Sequence, residues 1–165
     1  MKKIILLFIL IPSISIADSM NVIGEKGNPA DVVKVIKVKM FDNYYEPSEF
    51  KIKKNQTIKF IVTNHGQFVH EFNIATKKMH LKHQPEMMKM VENEILLVDR
   101  IDKKKMKELS TKDHSMSHSH SNSVLLEPNQ SGEIIWKFNT NANLEVACNV
   151  PGHYEAGMIA SINLN

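Results

Sequence analysis

The chain has 165 residues, of which 42% are hydrophobic and 24% are charged, and its formal net charge is +3. That length allows one domain with a well-packed core, and the composition excludes an intrinsically disordered chain. The small net charge, without a basic patch interleaved with aromatic residues, argues against nucleic acid as a partner. The unusual features are ten methionines, eight histidines and a single cysteine, Cys148.

The first 17 residues have the pattern of a secretory signal peptide. Lys2 and Lys3 form a charged start, residues 4–11 are an unbroken apolar run, and Ser15-Ile16-Ala17 is a small-x-small cleavage site. The apolar run is shorter than the about 20 residues that a membrane-spanning helix needs. We therefore expect cleavage after this site and a mature protein outside the cytoplasm, periplasmic in a Gram-negative host and not attached to a membrane.

Alternation of apolar and polar residues begins after the signal peptide. Residues 18–31 are polar and rich in Gly, Asn and Asp, which predicts a flexible segment before the folded domain of residues 32–165. Within that domain, β-branched residues at every second position predict strands with one buried face. The predicted strands cover residues 32–40, 50–52, 57–63, 69–74, 123–127, 133–139, 144–148 and 158–164. Short strands separated by turn signals indicate an all-β fold, an antiparallel Greek-key β-sandwich.

Residues 76–122 do not alternate and form an insert within the domain. Two short helices are predicted there, over residues 85–91 and 102–109, and Asp102 is expected as the N-cap of the second. The following run of Ser and His, residues 113–123, has low complexity and predicts a mobile segment. The insert is therefore expected to be partly helical or disordered.

Cys148, His153 and Met158 follow one another at five-residue intervals between two predicted strands. A lone cysteine in an exported protein is a buried apolar residue, a reactive thiol, half of an intermolecular disulfide, or a metal ligand. The turn 150–153 has Pro and Gly at its two central positions, and Gly157 offers a second bend. The loop can therefore bring all three side chains together. Thiolate, imidazole and thioether in one set favour copper over zinc.

A trigonal copper site with a weak axial methionine needs two histidines and one cysteine. His70 has the same phase as the core-facing residues Phe72 and Ile74, and Cys148 has the core-facing phase of its own strand. Both are therefore expected to point inward at one end of the sandwich. His65, in the preceding loop, is a competing candidate.

Two segments together resemble the cupredoxin family of blue copper proteins, most nearly its periplasmic copper-tolerance members. They are residues 46–74, which contain H-E-F-N-I from His70, and residues 148–158, which read C-x4-H-x4-M. The resemblance covers about residues 32–75 and 123–165. It implies a single type 1 copper with four metal ligands, His70, Cys148, His153 and Met158. The same resemblance implies that Met158 is the weaker, axial ligand and that His153 forms the solvent-side edge of the site. It also implies that Asn64 and Glu71 are polar neighbours of the metal ligands.

The resemblance implies a copper-binding protein that contributes to copper tolerance through binding and Cu(I)/Cu(II) cycling. A soluble carrier of electrons between redox enzymes is the alternative. No motif for acid–base or nucleophilic catalysis is found, so oxidation of Cu(I) is the one enzymatic activity left open. A multicopper oxidase is disfavoured because His118-Ser119-His120 is the only His-x-His pair.

The insert carries further soft ligands that predict additional, weakly bound copper. They are Met79, His80, His83, Met87, Met88, Met90, His114, Met116, His118 and His120. For the methionines at 87, 88 and 90, packing of a helix onto the sandwich is the competing interpretation. The expected partners are copper ions and a redox protein, and the protein is expected to be a monomer.

Overall fold

The computed structural model describes residues 22–165, so the predicted signal peptide lies outside the described residues. The alternating segments form ten strands in two five-stranded sheets. The strands are β1 (Glu25–Lys26), β2 (Val32–Phe41), β3 (Tyr44–Glu46), β4 (Glu49–Ile52), β5 (Thr57–Asn64), β6 (His70–Ala75), β7 (Ser123–Leu126), β8 (Ser131–Lys137), β9 (Glu145–Ala147) and β10 (Ile159–Leu164). The predicted all-β sandwich is confirmed, and only β1 and β3 were not anticipated.

The strand order is β1-β8-β5-β2-β3 in one sheet and β4-β10-β9-β6-β7 in the other. The sequence predicts an antiparallel sandwich, and in this respect the prediction is wrong for two pairs. Strand β2 runs parallel to β5, and β4 runs parallel to β10. Between β2 and β5 the chain passes through β4 of the second sheet. It therefore re-enters the first sheet at β5, which runs in the same direction as β2.

Aromatic rings fill the space between the sheets. Phe60 on β5 lies with its ring centroid 5.6 Å from Phe50 and 5.3 Å from Phe72, both on the opposite sheet. Phe138 closes the group at 6.2 Å, and all four side chains are buried. This core packs against β6, which begins with His70 and pairs with β9, the strand that leads into Cys148.

The segment before β2 differs from its prediction as a flexible stretch. In its described part, residues 22–31, β1 pairs with β8 and the Ile23 side chain is fully buried. The indole nitrogen of Trp136 donates a hydrogen bond of 2.9 Å to the Ile23 carbonyl. This part of the polar segment is therefore attached to the first sheet through β8.

The insert between β6 and β7 contains two helices, α1 (Lys77–Glu92) and α2 (Lys103–Ser110). The prediction for α2 is confirmed, with Asp102 accepting a hydrogen bond from the Lys105 amide. The prediction for α1 is too short: Thr76 caps the helix and Pro85 lies inside it. Pro85 cannot donate a backbone hydrogen bond, but burial of one helix face outweighs that loss.

A second apolar cluster lies under the insert. Met87 and Met90 of α1 are fully buried there against Val69, Leu96 and Met116. The methionines therefore pack the helix, as the competing interpretation holds, while Met88 is exposed. Residues 114–117 form a short 3-10 helix whose Met116 is buried, so part of the run 113–123, expected to be mobile, has a defined structure.

Within residues 22–165, none of the helices has the length and apolar character needed to cross a membrane.

Candidate metal centre

His70 begins β6 and is fully buried. Its Nε2 lies 2.9 Å from Asp42 Oδ1, so Nε2 carries the proton and Nδ1 is left as a lone pair. Asp42 also accepts hydrogen bonds from the backbone amides of Gln67 and Phe68. One carboxylate therefore orients the imidazole and holds the loop before it. Sequence reasoning missed Asp42, which reads there as an ordinary turn residue after β2.

Gly66 leaves room for the contact between Asp42 and His70. A β-carbon at position 66 would lie 2.7 Å from His70 Nε2 and would contact the Asp42 carboxylate. Any larger residue would push the imidazole and the carboxylate apart. The glycine therefore permits the close approach of the loop to His70.

Asn64 links the ends of three segments around His70. Its amide nitrogen donates to the carbonyls of Phe68 and Leu126, and its oxygen accepts from the Gly66 amide. The side chain is fully buried, so each of these bonds replaces one to water. Asn64, which was expected as a polar neighbour of the metal ligands, therefore stabilises the loop before His70.

Cys148 follows β9 and is fully buried. The backbone amide of Glu71 donates to its Sγ at 3.3 Å, a bond that stabilises a thiolate. Burial raises the pKa of Cys148 to about 12. The thiol is therefore protonated at neutral pH and becomes a thiolate when a metal replaces the proton.

The loop from Cys148 to Met158 folds back as its Pro-Gly turn predicts. The His153 amide donates to the Val150 carbonyl at 2.9 Å, and Gly152 and Gly157 have φ angles of 87° and 89°. The Met158 amide donates to the His153 carbonyl, and Met158 is buried in the main core. These bonds place His153 and Met158 at the same end of the sandwich as Cys148.

Three of the four predicted ligands meet at one point. Nδ1 of His153 lies 3.4 Å from Cys148 Sγ and 3.2 Å from His70 Nδ1, and the third separation, from Sγ to His70 Nδ1, is 4.0 Å. Ligands at bond lengths of about 2.0–2.3 Å in a trigonal plane lie about 3.5–3.8 Å from one another. The donor atoms, one sulfur and two imidazole nitrogens, therefore fit a trigonal copper ion.

The two imidazoles are in the form that binds a metal. Burial lowers the pKa of His70, although Asp42 acts in the opposite direction. Burial and the neighbouring His70 lower the pKa of His153. Both rings are therefore neutral at pH 7 and offer a nitrogen lone pair. His153 is half-buried and forms the side of the site nearest to solvent.

Glu71 lies behind Cys148 with its carboxylate fully buried. Asn149 donates to Oε2 through its backbone and its side chain, and Asn73 donates to Oε1. Burial acts to raise the pKa of Glu71, but the imidazoles of His118 and His83 outweigh it and hold the pKa well below its ordinary value. Glu71 is therefore a charged neighbour of the site.

Several other histidines that the sequence offers as metal ligands lie away from Cys148 Sγ and the two Nδ1 atoms. His65 is exposed in its loop and stacks on Phe41, so the structure does not bring it to the site. His80 is buried against Asn149, and His114 is exposed. His83, His118 and His120 form a separate group with their rings about 5.5 Å apart.

The sequence is similar to a known domain family and to known bacterial proteins. The family model of the cupredoxin-like domain matches residues 4–99. The copper-resistant cuproprotein CopI of Pseudomonas aeruginosa is 35% identical over 155 residues, covering 86% of this chain and 81% of that protein. The copper-resistant cuproprotein CopI of Vibrio cholerae is 30% identical over 149 residues, covering 89% of this chain and 75% of that protein.

The fold also matches solved structures. Auracyanin B superimposes with a TM-score of 0.59 over 86% of this chain and 96% of its own, at 12% sequence identity. That likeness concerns the sandwich itself, since the identity is too low to carry details of the site.

Proposed function

The chain belongs to the cupredoxin family, and from that premise we propose that it is a copper-binding protein of copper resistance. The observation that carries the proposal is the convergence of His70 Nδ1, His153 Nδ1 and Cys148 Sγ within 4.0 Å of one another. Two relatives that are similar along most of the chain are named copper-resistant cuproproteins.

The proposed ligands of a single type 1 copper are His70, Cys148 and His153, with Met158 as a weak axial ligand. Bound copper supplies one-electron chemistry between Cu(I) and Cu(II). Asp42 holds the tautomer of His70, and the Glu71 amide stabilises the thiolate. Because these groups are already in place, the site needs little rearrangement to hold either oxidation state.

The proposed place of action is the periplasm, reached through the predicted signal peptide of residues 1–17. Copper held by a buried thiolate cannot exchange freely with other exported proteins, which is how binding would confer tolerance. The domain proposed to do this is residues 32–165, with the insert of residues 76–122 as a place for additional copper.

Titration of the mature protein with Cu(II), followed by visible absorption and electron paramagnetic resonance, tests the site. We expect an intense thiolate-to-copper band that saturates at one equivalent, with the narrow hyperfine splitting of a type 1 centre. A protein that binds copper without such a band would contradict the type 1 proposal.

Growth of a strain lacking the gene tests the role. We expect greater sensitivity across a series of copper concentrations, with recovery when the wild-type gene is restored. Unchanged growth together with a respiratory defect would instead favour the electron carrier. One observation supports that alternative: Phe68 is 41% exposed and lies beside the half-buried His153, which makes a small apolar rim for a redox partner.

Replacing Asp42 with alanine is expected to weaken copper binding about 10- to 100-fold, because His70 loses the acceptor that holds its Nε2 proton. Competition with a copper chelator of known affinity measures the change. Asp99→Ala is the matched control, since that carboxylate is exposed and, among residues 22–165, pairs with the neighbouring Arg100 alone. Equal affinities in the two variants would contradict the positioning role of Asp42.

A further inference from the structure

We propose a second metal site, for a divalent transition-metal ion such as Cu(II), formed by Glu71, His83 and His118. Their Oε1 and Nε2 donor atoms all lie within 4.8 Å of one another. The proposal goes beyond the copper centre described above, because the two sites share no ligand. It rests on the proposed place for additional copper in the insert and narrows it to two of the insert's histidines, joined to Glu71 of β6.

Glu71 Oε1 is the centre of this group. His118 Nε2 lies 2.8 Å from it, and His83 Nε2 lies 3.3 Å from it. The three side chains are almost completely withdrawn from water: 0% of Glu71, 4% of His118 and 12% of His83 is exposed. A negative oxygen and two imidazoles packed together in this way form a set that suits a divalent cation.

His83 directs one ring nitrogen, Nε2, toward the Glu71 carboxylate without the geometry of a hydrogen bond. Its buried Nε2 makes no hydrogen bond within the described part of the chain, although Glu71 Oε1 is nearby. Its other ring nitrogen, Nδ1, is 2.9 Å from Glu86 Oε2. This carboxylate–imidazole pair is the arrangement that orients a metal-binding histidine, and Asp42 makes the same pair with His70 at the first site.

A third imidazole, that of His120, lies beside this group. Ring centroids of His83, His118 and His120 are 5.5, 5.4 and 5.5 Å apart. His120 is exposed, so it stands on the solvent side, where an ion would enter.

One member of this cluster has an unusual backbone conformation. His118 has a left-handed conformation with φ of 45°, unusual for a residue other than glycine. That conformation ends the short helix 114–117, and the His118 side chain reaches Glu71 on β6. The cluster thus joins the sandwich, α1 and the end of the insert in one site.

Donor chemistry indicates which ion is preferred. Imidazole nitrogen and carboxylate oxygen suit divalent ions, whereas Cu(I) prefers sulfur. Among divalent ions of the first transition series, Cu(II) binds such sets most tightly. Burial lowers the pKa of His83, but Glu71 and Glu86 outweigh it and raise the pKa to about 9, so an incoming ion must displace a proton.

The test is a Cu(II) titration of the wild type and a His83→Gln/His118→Gln variant, followed by calorimetry and electron paramagnetic resonance. We expect two equivalents in the wild type and one in the variant. The second equivalent should give a spectrum with wide hyperfine splitting and no intense visible band. His114→Gln, an exposed histidine of the same segment, is the control and should keep both equivalents.

The visible band of the first site reports separately on the fold and on the main copper centre. Loss of the second equivalent with the band retained supports the proposal. Two equivalents in both proteins, or one in both, would overturn it whether or not the band forms. Glu71 is unsuitable for this test, because its carboxylate accepts hydrogen bonds from Asn149, next to Cys148, and a change there affects both sites.

Glu86→Gln provides a second, gentler variant, because 40% of the Glu86 side chain is exposed and its loss should not affect folding. We expect binding of the second equivalent to weaken about 10- to 100-fold, with an unchanged melting temperature of the apoprotein. Glu92→Gln, exposed on the same helix, is the matched control. Equal affinities in the two variants would contradict the role given to Glu86.

Discussion

Replacing Cys148 with serine is expected to abolish the intense visible band of the copper protein completely. The band requires charge transfer from a thiolate, and Cys148 is the only cysteine in the chain. A serine hydroxyl is similar in size but remains protonated and is a poor ligand for copper. Visible absorption and electron paramagnetic resonance after addition of one equivalent of Cu(II) measure the effect.

The fold should survive this substitution. The Glu71 amide that donates to Sγ can donate to the serine oxygen, so the buried polar group keeps a partner. Circular dichroism of the apoproteins should therefore be the same for both. Cys148→Ala is a useful companion, since it removes the donor atom altogether. A band that persists in either variant would show that it does not arise from the Cys148 thiolate, which contradicts the proposed site.

Replacing Phe60 with alanine should produce the largest loss of stability, about 3–5 kcal/mol in the free energy of unfolding. Phe60 is fully buried between rings of Phe50, Phe72 and Phe138. Its neighbours belong to both sheets, so the cavity cannot close by movement of one strand. Small domains have a free energy of unfolding of only about 5–15 kcal/mol, so the substitution would remove a large part of it. Urea unfolding of the apoprotein measures the change.

Val33→Ala is the matched control for Phe60→Ala. Val33 lies on β2, next to β5 in the same sheet, but its side chain is 63% exposed. The change there should be within about 0.5 kcal/mol. Phe60→Leu should be intermediate, since it leaves a smaller cavity. If the two alanine variants were equally stable, the aromatic group would not be the core that holds the sheets together.

The features that could be predicted from the sequence depend on local patterns. Alternation placed Ile58, Phe60 and Val62 in the core, where all three are fully buried. The Pro-Gly turn and Gly157 predicted a loop that folds back, and both glycines have positive φ. Asn55, in the turn before β5, also has a left-handed backbone with φ of 67°, a conformation that asparagine tolerates.

The features that were missed depend on contacts between distant parts of the chain. Asp42 lies 28 positions before His70, and no periodic pattern connects them. The Ser/His run near His118 reads as a mobile linker, because its order comes from the buried Met116 and from Glu71, which is 47 positions away. Pro85 suggests the start of a helix, a position that proline favours, whereas α1 begins eight residues earlier.

The insert leaves the sandwich at the end of β6 and returns at the start of β7, and these two strands pair directly, with Asn73 opposite Ser123. In evolutionary terms it is an enlarged hairpin loop, so helices can be gained or lost there without altering the strand order. A cupredoxin with one metal centre could thus gain most of a second in a single insertion event. His83 and His118 both lie within this connection, while Glu71 lies on β6 of the sandwich.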